Sequence, residues 1–161
     1  MMQGLLRMIL RLSKLANVIA GLALSLMVLI TVGDVTLRSF RKPIPGTYEL
    51  VAFLGLAAIG FSLPFTQWVK GHISVDFLVE KFSRKVRKAI NLSTRCIGIG
   101  FFFLSGWYLI RMGIRLYRTG EVSLTLQMPY YPLAYGVGIC FFVLCLVLLS
   151  DIVKIFEEKN E

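Results

Sequence analysis

The sequence is poor in the side chains from which catalytic and redox centres are built. Its 161 residues include one histidine, His72, and three cysteines, Cys96, Cys140 and Cys145. A metal centre takes about three or four ligands of suitable type, and no second histidine or thiol pair accompanies His72. The cysteines are odd in number and show no CxxC spacing, which argues against a disulfide framework and against thiol–disulfide exchange. A haem-carrying anchor generally needs axial ligands within its apolar helices, and the lone histidine lies outside the apolar runs. No Ser-His-Asp group or carboxylate dyad can be assembled. The reading is of a chain that is not an enzyme, with no catalytic residue, cofactor or metal site.

Charge is scarce as well. Only 17% of the residues are charged against 57% hydrophobic, and the mean hydropathy of +0.74 is far above that of a soluble domain. The nine acidic residues, Asp34, Glu49, Asp76, Glu80, Glu121, Asp151, Glu157, Glu158 and Glu161, fall at the ends of apolar runs or outside them. The chain therefore lacks the intramembrane carboxylate on which proton-coupled carriers usually depend.

What the sequence does have is four continuous apolar runs, at about residues 15–35, 48–69, 89–110 and 131–150. A hydrocarbon core of about 30 Å takes roughly 20 helical residues, so each run is long enough to cross. Barrel strands would alternate over about 10 residues, and these runs do not. The expectation is an all-α membrane protein, one membrane domain over 1–161 with four transmembrane helices. Arg7, Arg11 and Lys14 precede the first run as in a signal peptide, but Ala16 to Gly33 is 18 residues, longer than a typical h-region of about 7 to 15. An uncleaved span is expected.

Lysine and arginine assign the sides. Eleven flank the N-terminus, the second connection and the tail, six lie in the first and third connections, and Arg95 lies within a span. Both termini are therefore expected in the cytoplasm. The net charge of +9 then reads as topogenic charge and attraction to lipid head groups, not nucleic-acid binding. The six charges on the opposite side suit an acidic partner or snorkelling at helix ends, and Arg95 is also expected to snorkel. Trp68, Trp107, Tyr130 and Tyr131 fall near span ends as interfacial anchors.

Between spans two and three the chain turns amphipathic over about 75–88, which predicts a helix lying in the membrane surface. Gly71 gives freedom to turn, Ser74 caps, Asp76 sits in the first turn, and Leu78 and Phe82 face the bilayer or a partner. His72 keeps at most a hydrogen-bonding role at the end of span two.

Two opposite connections carry the informative polar residues, "LRSFRKPIPGTYEL" at 37–50 and "LYRTGEVSLTLQMP" at 116–129. In the first, Pro43, Pro45 and Gly46 stiffen a turn, Thr47 is expected to cap span two, and Glu49 is placed near Arg38 as its partner. In the second, Gly120 is expected to end span three. Arg38, Arg41, Lys42, Glu49 and Glu121 are the candidate partner-docking residues.

The order and spacing of these features resemble a known family, the small DctQ-type membrane subunit of tripartite ATP-independent periplasmic (TRAP) transporters. The likeness rests on four spans with cytoplasmic termini, "RKPIPGTYEL" leading into span two, "GHISVDFL" after it and "GEVSLTLQMP" before span four. It implies a bacterial inner-membrane complex with a large multi-span permease subunit, which carries the substrate and sodium sites, and a periplasmic substrate-binding protein. The small subunit would steady the immobile scaffold, in contact with membrane lipid, and the cargo would be a small organic acid such as a dicarboxylate or sialic acid. The residues alone leave open a stand-alone homo-oligomeric carrier, with Glu49 or Arg95 at a central pathway, and a membrane anchor for another complex.

Overall fold

A computed structural model describes residues 2–69 and 84–157. The chain is four helices, α1 (Met2–Ser39), α2 (Thr47–Trp68), α3 (Arg84–Thr119) and α4 (Tyr131–Glu157). All four are long and apolar enough to cross a membrane. His72, Ser74, Asp76, Leu78 and Phe82 lie outside the described residues, and with them most of the surface helix expected over 75–88. Its last residues, from Arg84, belong to α3.

α1 and α3 exceed the spans expected at 15–35 and 89–110. At 1.5 Å per residue, the 38 residues of α1 and the 36 of α3 make rods of about 57 and 54 Å, nearly twice a hydrocarbon core of about 30 Å. An apolar window measures what fits in lipid, while the helix continues until a residue stops it. The stops are identifiable. Past α1, the amide of Lys42 donates to the Leu37 carbonyl and that of Arg41 to Arg38, which is a Schellman closure with Arg41 in the left-handed position, φ 58°. Past α3, Gly120 takes φ 66° and its amide donates to the Leu116 carbonyl, as its position in the sequence predicts.

The helices pack in the order α1, α2, α4, α3, with α1 also touching α4. α4 is therefore the most buried, and Leu144 and Val147 on it are among the best-covered side chains. In lipid no hydrophobic force draws apolar helices together, so close approach of small residues does. At the α3–α4 seam, Gly106 and Gly138 face one another so closely that a Cβ on Gly106 would come within 3.3 Å of the Gly138 carbonyl. The Tyr135 ring covers Gly113. Phe102 and Phe103 meet Phe141 and Phe142 edge to face at 5.5 and 5.6 Å. Several hydroxyls within the spans donate back along their own helix, as Thr31 does to the Met27 carbonyl at 2.7 Å, and so enter lipid satisfied; the buried Ser13 hydroxyl makes no such bond.

One polar tie crosses the bundle near the C-terminal half of α4. Arg95 of α3 meets the Asp151 carboxylate at 3.3 Å, with their side chains 20% and 7% exposed. Gln67 of α2 donates to the same oxygen at 3.4 Å. Arg95 was expected to snorkel; the bundle instead supplies a buried carboxylate within reach, which replaces water as its partner.

Candidate functional site

The opposite end of the bundle is where the two informative connections meet. Asp34, buried on α1, accepts a hydrogen bond from Arg38 Nε at 2.7 Å and another from the Ile44 amide at 2.9 Å. One carboxylate thus neutralises a cation on its own helix and holds the turn that follows. Arg38 also lies over the Tyr48 ring, 5.4 Å from its centroid. The Thr47 hydroxyl donates to the Ile44 carbonyl at 2.9 Å, which closes the turn from its far side.

Glu49 was expected beside Arg38, and Thr47 as the cap of α2. Neither arrangement is found. Arg38 is taken by Asp34, one helical turn back on the same face, the cheapest geometry for an ion pair on a helix. Gly46, φ 78°, is the N-cap residue of α2 and makes no side-chain cap bond. Glu49 reaches across the molecule instead. Its carboxylate accepts the Thr125 amide at 2.7 Å and the Leu126 amide at 2.9 Å, short charge-assisted bonds to a loop far away in sequence.

That loop is itself tightly bonded. Val122 and Pro129 pair as an isolated antiparallel bridge. The Ser123 amide donates to the Met128 carbonyl at 2.9 Å, and the buried Ser123 hydroxyl accepts the Met128 amide at 3.1 Å. Leu126 then sits over Gly46 so closely that a Cβ there would lie 2.5 Å from its Cγ. Gly46 is therefore required twice, for its left-handed backbone and for the space above it. Tyr130 stacks on Phe53 of α2 at 5.1 Å and 23°.

The result is a latch: one carboxylate, Asp34, fastens the first connection to the end of α1, and another, Glu49, fastens the third connection to the start of α2. It holds an unusual surface out to the surroundings. Leu124, at the tip of the bonded loop, is 98% exposed, and Phe40 and Tyr48 are also largely uncovered. Arg41 and Lys42 are exposed beside them in the chain and make no ion pair among the described residues. Glu121, exposed, interacts with the Thr119 hydroxyl at 3.2 Å and takes no part in the latch.

Of the expected anchors, Trp68 closes α2, Trp107 lies on α3 under Arg111, and Tyr131 opens α4 in an edge-to-face pair with Tyr117 at 5.2 Å. Sequence reasoning missed Asp34 and Asp151, although "DVTLR" at 34–38 carries an i, i+4 acid–base signature. Asp151 has no such local signal.

Four apolar helices tied at one end by an ion pair and at the other by a carboxylate latch define a multi-pass membrane protein. Residues 27–158 match the family model described as tripartite ATP-independent periplasmic transporters, DctQ component, and the chain belongs to that family, the small permease component of TRAP transporters. The match takes in Asp34, Glu49, Arg95 and Asp151. No individual curated protein matches the chain.

Proposed function

We propose that this chain is the accessory subunit of a sodium-coupled, binding-protein-dependent transporter for a small organic acid of the dicarboxylate or sialic acid type. It steadies a large multi-span permease subunit in the bacterial inner membrane and presents its latched end to a periplasmic binding protein. Both termini face the cytoplasm, in keeping with the distribution of lysine and arginine. Family membership supports the partners.

The observation that carries the docking role is the Glu49 latch, which holds the amides of Thr125 and Leu126 and leaves the neighbouring Leu124 in the open. A bonded loop with an exposed leucine, packed through Leu126 on the connection that carries the exposed Arg41 and Lys42, suits a partner with an apolar pocket and an acidic rim, because pre-organised contacts lose little entropy on binding. The test is reconstitution in proteoliposomes of the two permease subunits with the binding protein. Leu124→Ser and the pair Arg41→Glu and Lys42→Glu weaken uptake by raising the concentration of binding protein needed, while the membrane complex still purifies whole. Uptake at the parental binding-protein concentration removes the docking role, and sodium-driven uptake by this chain alone overturns the accessory reading altogether.

A further inference from the structure

α3 carries a second feature, away from the latch. Ile97, Phe101, Leu104 and Tyr108 recur at steps of four and three along the helix, and each is more than half exposed. The same stripe continues into Arg111, Arg115 and Arg118, all exposed. This face is opposite the one on which Gly106, Gly113 and Leu116 are buried. None of the three arginines has a carboxylate partner among the described residues, whereas Arg95 on the same helix does. Trp107 lies beneath Arg111, 5.4 Å from ring centroid to guanidinium carbon. An unbroken apolar face that ends in an indole and then in bare guanidinium groups has the profile of a lipid molecule, acyl chain first and phosphate last.

Dimensions agree. From Arg95 to Arg111 the helix rises about 24 Å, slightly less than a hydrocarbon core of about 30 Å, so Arg111 extends outward to the phosphate level. Arg111 and Arg115 are one turn apart, about 6 Å along the axis, which fits one headgroup layer of roughly 5–7 Å, and Arg118 follows about 4.5 Å further out, at the water side of that layer. The planar fork of arginine binds phosphate oxygens in pairs.

We propose that this face of α3 is a binding site for an anionic phospholipid in the leaflet nearest the latch. Arg111 and Arg115 hold its phosphate, Arg118 holds the polar end of its headgroup, and an acyl chain lies along Tyr108, Leu104 and Phe101. Lipid is favoured over an acidic protein because the charged and apolar parts form one stripe with an interfacial tryptophan at the join. The site is separate from the docking surface and does not depend on it.

The chain has two tryptophans, so Trp68→Phe leaves Trp107 as a reporter beside Arg111. The full chain is placed in phosphatidylcholine nanodiscs containing a minority of brominated phosphatidylglycerol or, at equal amount, brominated phosphatidylcholine. Quenching of Trp107 is expected to reveal at least about a fivefold local enrichment of phosphatidylglycerol, the size expected of one arginine–headgroup attraction. Arg111→Gln, Arg115→Gln and Arg118→Gln together abolish the enrichment while helix content stays parental, and Arg115→Gln alone reduces it. Equal quenching by the two lipids in the unsubstituted chain overturns the proposal. So does a triple variant that keeps the enrichment and instead loses cross-linking to the binding protein, because the arginines then serve a protein partner.

Discussion

At the scale of single residues, the loop end of the bundle has four described positions in left-handed geometry, Arg41, Gly46, Gly120 and Gln127, and the first two make opposite predictions. Arg41 holds φ 58°, which costs a residue with a Cβ about 1–2 kcal/mol that glycine escapes. Arg41→Gly should therefore raise stability by about 1 kcal/mol, measured as thermal unfolding in detergent, even while it removes a cation from the proposed docking surface. Gly46 holds φ 78° with Leu126 pressed onto it. Gly46→Ala should lose about 2 kcal/mol or more, because strain and overpacking add. Glu49→Gln keeps one acceptor but turns an amide N–H₂ toward a second backbone donor. The expected outcome is faster proteolysis between Glu121 and Pro129, with α2 intact; unchanged cleavage would mean that the loop holds itself without the latch.

Among the helices, α2 and the start of α4 were legible in the sequence, whereas α4 runs on to Glu157, past the expected end at 150. Thr47–Trp68 was expected at 48–69, and α4 begins at Tyr131 as expected, because proline and glycine punctuate both starts. The lengths of α1 and α3 were not legible, since polar turns beyond the bilayer continue a helix without leaving an apolar trace. The pairings of Glu49 and Arg95 were hidden for another reason. Each partner lies far along the chain, and no local spacing encodes a contact that only helix packing creates. The Arg95–Asp151 tie has a testable energetic signature. Asp151→Asn strands a guanidinium and should cost about 2–3 kcal/mol, below the 3–5 of a fully buried pair because Arg95 keeps some access to its surroundings. The double replacement Arg95→Met with Asp151→Leu should recover most of that loss, as thermal unfolding of the same detergent-solubilised chain would register.

For the molecule as a whole, the orientation argued from charge makes a direct prediction. A cysteine at Leu124 should react with a membrane-impermeant maleimide added to intact spheroplasts, and one at Gly4 should react only after the membrane is opened; the reverse pattern would invert the topology. The latch has one more consequence, which concerns the order in which the molecule is made. α1 and α2 can pair as soon as both have left the ribosome, but Glu49 must wait for Thr125 and Leu126, translated 76 and 77 residues later. Until then its carboxylate has only water to accept from. A chain halted at the end of α3 has neither Thr125 nor Leu126, so its Glu49 latch stays open until the connection to α4 has been made.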